Sequence, residues 1–252
     1  MSPTASSLVC SFRSSTLRSA ACFGHKGSVW RSAALVVAGL CLVACAALPT
    51  ARMRLPASLE AAKPAPFEGL GAGRIGSFKL DGQTITFQRT GDSLSLFDRL
   101  RLDRVSVEFE HADAKARCDG RATALTAGIL DTPARPLALT CRFTGSIAGE
   151  LRLTESRLAG AGTRQAREGL AVFGDVVIEI RSEHALAGSH LPLSQPAGCR
   201  LLLDGRDVAA LDVAGGTPVL RRAKGLEPRV QKAVTRAALA LGLLFDPAVT
   251  LG

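Results

Sequence analysis

Between Phe78 and Ile180 several runs place apolar residues at every second position, the period of strands that bury one face. Phe78, Leu80, Ile85 and Phe87 fall on one face of a hairpin about Asp81-Gly82, with Lys79, Thr84, Thr86 and Gln88 on the other. An Asp-Gly pair suits a two-residue turn because both central positions take positive φ. The same dipeptide at Asp119-Gly120 and Asp204-Gly205 predicts two more turns. Val105, Val107 and Phe109 alternate with polar neighbours, then the apolar phase slips by one to Ala112, Ala114, Ala116 and Cys118, which predicts a β-bulge near Glu110 or His111. Leu137, Leu139, Cys141 and Phe143, then Leu151 and Leu153, then Val176, Ile178 and Ile180 continue the pattern. Roughly eight to ten strands with short connections favour an antiparallel sheet, sandwich or open barrel over a parallel βαβ arrangement.

The period changes near the C-terminus. Thr217-Pro218 resembles a helix cap followed by Pro in the first turn, with Gly225 to stop a short helix. After Glu227-Pro228, Val230, Val234, Ala237, Leu241 and Leu244 recur at spacings of three and four, an amphipathic helix that packs on the sheet and ends by Asp246-Pro247. The class is therefore mainly β with C-terminal α-helices, in a globular domain over 73–252.

Composition changes this picture at the N-terminus. No acid precedes Glu60, so Arg13, Arg18, Lys26, Arg31, Arg52 and Arg54 account for six of the nine net positive charges, and the folded part is only mildly basic. Without a basic reading motif, nucleic acid is not an expected partner. From Ala33 to Ala44 every residue is Ala, Val, Leu, Gly or Cys, 12 residues that begin just after Arg31-Ser32. That is the length of a secretory h-region. Extended to Leu48 the run reaches 16 residues, short of a bilayer span.

The run ends Leu42-Val43-Ala44-Cys45, which resembles the lipobox of bacterial lipoprotein precursors at all four positions. The resemblance implies that the Cys45 sulfur receives a diacylglyceryl group, that a peptidase cuts before it, and that the new amino group is acylated. Residues 1–44 are then leader and signal peptide, and 45–72, with Pro49, Pro56, Pro64 and Pro66, a lipidated flexible linker. Ala46 after the cysteine, in place of Asp, implies the outer membrane of a Gram-negative cell, with the domain facing the periplasm. Three other readings stay open at this point: a secretory signal cleaved near Ala46, an uncleaved anchor, and a transit-like stretch over Met1 to Gly27. Translation from Val29 would make 1–28 a start-site artefact.

The candidate chemistry of the folded part is thin. Gly71-Ala72-Gly73-Arg74-Ile75-Gly76 spells G-x-G-x-x-G, but a Pro-rich stretch precedes it and a strand pattern follows, so it reads as a domain entry and no cofactor is expected. Glu183, His184 and His190 form the one cluster of potential acid–base groups, without the spacing of a metal site or a G-x-S-x-G elbow. Glu108, Glu110 and Asp113 read as a solvated face. Of seven cysteines, Cys118, Cys141 and Cys199 lie in the folded part, and a bridge between Cys118 and Cys141 competes with buried free thiols. Arg229, Lys232 and Arg236 at i, i+3 and i+7 would stripe the outer face of the last helix, an expected contact for an anionic surface or a solvated face. The expectation is a lipid-anchored, non-catalytic module that binds or organises another envelope protein, lipid or glycan. The competing expectation is an envelope hydrolase using the Glu183 to His190 loop.

Overall fold

The computed structural model describes residues 50–96, 100–127, 130–158 and 164–244. These residues form twelve strands: β1 (Pro64–Pro66), β2 (Ile75–Leu80), β3 (Gln83–Leu96), β4 (Leu100–His111), β5 (Ala114–Ala127), β6 (Leu130–Thr144), β7 (Gly149–Leu158), β8 (Arg164–Phe173), β9 (Val176–Glu183), β10 (Gly198–Leu203), β11 (Arg206–Asp212) and β12 (Val219–Arg222). One helix, α1 (Pro228–Gly242), follows them. From β2 to β12 each strand pairs antiparallel with its neighbour in the chain. The seam is made by the Pro-rich segment. β1 pairs with β12, the Phe67 N–H donates to the Pro218 carbonyl at 2.9 Å, and Glu68 exchanges two 2.8 Å backbone bonds with Lys79 of β2. The result is a nearly closed, barrel-like antiparallel sheet with one C-terminal helix, as the period-two pattern predicts.

The turns follow the predicted chemistry at two of three places. Asp81 and Gly82 (φ 52° and 78°) and Asp204 and Gly205 (φ 52° and 74°) are hairpin turns. Asp119-Gly120 instead lies inside β5, and the preceding turn falls at Ala112-Asp113, where Ala112 takes φ 54°. The slip in apolar phase marks that turn and not a bulge: Phe109 and Ala116 are register partners on opposite sides of it. Thr217-Pro218 opens β12 and not a short helix, because β11 and β1 both offer it backbone partners.

A ring of this many strands encloses more space than its own side chains fill. Here α1 fills it. All nine residues from Ala233 to Leu241 are buried, so the helix has no solvent face over that stretch and is not the one-sided amphipathic helix expected. Ala233, Ala237, Ala238 and Ala240 keep it thin, and it shares one core with Phe78, Phe109, Phe143, Phe173, Ile178 and Leu211 of the sheet. Gly242 lies against the Phe67 ring, where an added Cβ would come within 2.6 Å of it, so the helix end touches the seam.

The segment expected to be a free linker over 45–72 belongs to the folded unit from Thr50 onward. Met53, Leu59 and Ala62 bury themselves with Ala197 and Ala210 in a second, smaller core, which anchors the stretch. Gly198 makes this possible, since a Cβ there would sit 2.4 Å from the Met53 sulfur. Both cores lie within 50–244, so a chain that begins after Cys45 keeps every contact described.

Cys118 and Cys141 are register partners on β5 and β6 and form a disulfide with a sequence separation of 23 residues. Constraining a loop of that size stabilises a fold by about 3 kcal/mol. The Cys118→Ala, Cys141→Ala double variant should therefore lose about that much in urea denaturation, with midpoint and slope together giving the free energy.

Candidate functional site

The hairpins β2–β3, β4–β5, β6–β7, β8–β9 and β10–β11 all turn at one end of the sheet, where α1 begins. Arginines tie the helix to that end. Arg222 bonds Asp81 and donates to the Thr235 hydroxyl at 3.0 Å; Arg229 pairs with Asp175 at 2.8 Å. Arg236, only 3% exposed, donates to the Ile147 carbonyl and the Ser146 hydroxyl and lies 3.5 Å from Asp113. The Ser146 hydroxyl, then the backbone N–H of Asp113 itself and the charge of Arg236, hold the Asp113 carboxyl below its ordinary range. The expected outer stripe of Arg229, Lys232 and Arg236 is thus broken up: Lys232 is exposed, Arg229 faces an exposed aspartate, and Arg236 is interior because it caps the β4–β5 and β6–β7 turns.

Elsewhere charges pair on the outer face. Glu108 and Glu110 meet Arg117 and Lys115 at 3.3 and 2.7 Å, in keeping with a solvated surface. Among the described residues no group of three His, Cys, Asp or Glu comes together as a metal site.

The other end is open, and there the inner face changes character at one level. The inward row of β3 runs Ile85, Phe87, then Arg89; that of β7 runs Leu151, Leu153, then Glu155; that of β9 runs Ile178, Ile180, then Ser182. Arg167 of β8 stands opposite both Glu155 and Ser182, with its guanidinium 3.5 Å from the Glu155 carboxylate. Arg89 donates to the carbonyls of Gly71 and Gly73 at 2.6 and 3.0 Å and lies 5.1 Å above the Phe87 ring. The G-x-G stretch therefore supplies carbonyls to an arginine, not amides to a phosphate. Burial lowers the pKa of this guanidinium, which keeps its charge.

Beside the end of α1, Arg89 of β3 and Arg167 of β8 border a cavity of about 660 Å³ whose other lining comes from loops, the N-terminal segment and the helix end. Leu70, Val213, Leu241 and Leu244 supply its floor and walls, and the loop bearing Leu186 and Leu193 overhangs it. The N-terminal segment reaches its rim: Ala51 lines it, and the Arg54 N–H donates to the Ala185 carbonyl at 2.7 Å.

The Glu183–His190 cluster does not assemble. Glu183 folds its carboxylate back on the backbone N–H groups of His184 and Ala185, both at 2.9 Å, and His190 is exposed. His184 is buried. Its Nδ1 lies 3.1 Å from the Leu193 carbonyl and its Nε2 3.2 Å from the Ser182 hydroxyl. That hydroxyl also accepts the Arg167 backbone N–H at 2.9 Å. Ser182 and Arg89 were legible in principle, because each continues an inward row whose earlier members are apolar, whereas Arg167 precedes Gly169, Ala171 and Phe173 in a strand the alternation did not reveal. Cys45 lies outside the described residues.

No family profile, curated protein or solved structure matches the chain, so the reading of the site rests on its geometry.

Two outcomes follow. Desolvation pushes the Cys199 thiol up to about 11, so the folded protein should resist iodoacetamide at pH 8 and react once unfolded in urea. An Arg236→Met variant leaves the Ile147 carbonyl without its charged donor and should cost about 2 kcal/mol in a denaturation curve, whereas Lys232→Ala should leave the midpoint in place.

Proposed function

We propose that the chain is a lipid-anchored protein of the bacterial envelope whose β-rich domain is a non-catalytic binding module. Cys45 carries the lipid and holds the domain at the periplasmic side of the outer membrane. The observation that carries the binding reading is the open, apolar-walled cavity at the mouth of the sheet, whose volume lies within the roughly 300–1,000 Å³ typical of small-molecule sites. The Cys118–Cys141 bridge supports an oxidising compartment, and the run from Ala33 to Ala44 before Cys45 supports export. Its partner is another envelope component: a protein, a lipid or a glycan.

The contact between Ser182 and His184 favours a second reading, a hydrolase. A carbonyl at Nδ1 selects the tautomer in which Nε2 accepts a proton, as a general base requires. Against it, the hydroxyl already takes the Arg167 N–H, the serine sits in a strand and not on a tight turn, and Glu183 faces away from the ring. Under the binding reading a fluorophosphonate leaves Ser182 unlabelled, and purified protein does not turn over short p-nitrophenyl esters. Labelling lost in a Ser182→Ala variant would reverse the order of the two readings.

Anchoring is tested by growing cells with a clickable palmitate analogue. The wild-type chain should take the label and fractionate with the outer membrane; Cys45→Ser should remain unlabelled and run as uncleaved precursor. Label that persists on Cys45→Ser would remove the anchor reading.

A further inference from the structure

We propose that the mouth cavity holds the acyl chain of an anionic, single-chain amphiphile taken from the membrane, with its charged end at Arg89 and Arg167; this rests on the binding-module reading above. The shape of the lining leads there. Leu241 at the end of α1, Leu244 just beyond it, Leu70 and Val213 give the cavity an apolar lining. The two charged residues that border it among those described are both arginines. Arg167 also meets Glu155 and Arg89 also meets two carbonyls, so both are held in place and need not be ordered by the ligand. A molecule with one apolar and one anionic end matches both halves of this site, whereas a sugar would leave its hydroxyls against leucine and a neutral hydrocarbon would not use the guanidiniums.

Chain length supplies the source. Ala51 lines the cavity and stands six residues after Cys45, a stretch that spans at most about 20 Å when extended. A lipid on Cys45 thus keeps the mouth within reach of the bilayer surface, where single-chain carboxylates and lysophospholipids reside. The shared chemistry is one acyl chain and one anionic group, and the two sources differ in whether that group is a carboxylate or a phosphate.

The test uses an unlipidated chain beginning at Ala46, with cis-parinaric acid as a fluorescent fatty-acid probe. Saturable binding at one site per chain is expected. Palmitate or lysophosphatidylglycerol should displace the probe, the better competitor identifying the head group, and a neutral monoacylglycerol should do so at least about ten-fold less well. Ala72, exposed on the rim loop, allows the cavity to be filled without touching either core: Ala72→Trp should weaken binding about ten-fold at an unchanged urea midpoint. Absence of saturable binding would overturn the proposal, as would equal displacement by the neutral lipid or unaltered affinity in Ala72→Trp. Binding seen only in a chain shortened to end at Leu244 would also overturn it, by making residues 245–252 the occupant. Probe binding without acyl labelling of Cys45 would remove the anchor alone, and labelling without probe binding would remove this ligand alone.

Discussion

The structure depends on how a wide ring of strands is kept from being hollow. Side chains on a sheet reach inward by a fixed length, so adding strands enlarges the lumen faster than the side chains fill it. Dispersion and burial are lost wherever atoms face a void, and the interior must be as dense as an organic solid. A helix running through the lumen solves this, provided it is slender. The alanines at 233, 237, 238 and 240 meet that requirement, and the phenylalanines of the sheet take up the remaining space. Phe109, Phe143 and Phe173 contact one another in sequence, with centroids 6.2 and 4.9 Å apart, along the wall that α1 packs against.

Filling the lumen from one end also creates the site. α1 is anchored at the turn end by Arg222, Arg229 and Arg236, and its far end, at Leu241 and Gly242, borders the cavity. The space beside the helix end is thus a cup with an apolar lining and a charged rim. The same residues that satisfy the fold set the chemistry of the cup: Arg89 pins the Gly71–Gly73 stretch across the seam, and His184 ties the overhanging loop to β9 through Leu193 and Ser182.

Much of this was readable from residue order alone. The period-two rows gave the strands, and Asp81-Gly82 and Asp204-Gly205 gave their turns, because backbone sterics act locally. Asp119-Gly120 misled for the same reason: in β5 its neighbours on β4 and β6 hold it extended, and no local signal reports that. The Pro-rich stretch looked like a tether because its prolines lack donors, yet Pro64 and Pro66 occupy a short strand of only three residues where few donors are needed. α1 showed helical spacing but not its surroundings; a helix enclosed by a sheet and one resting on a sheet differ mainly in whether the second face is small. Arg236 was misplaced on that account. The site was hidden in rows that were followed only while they stayed apolar.

The order of elements along the chain has a kinetic consequence. Contacts between neighbouring strands are local and form quickly, whereas contacts that join distant segments wait for the loop between them to close. From β2 onward the meander is built from such local steps, but its closure joins β1 to β12, and the helix that occupies the lumen comes after both. A chain emerging N-terminus first therefore assembles an incomplete sheet with two bare edges and no filling. The partner for closure arrives with β12, and the filling arrives only afterwards, with α1, the last described element.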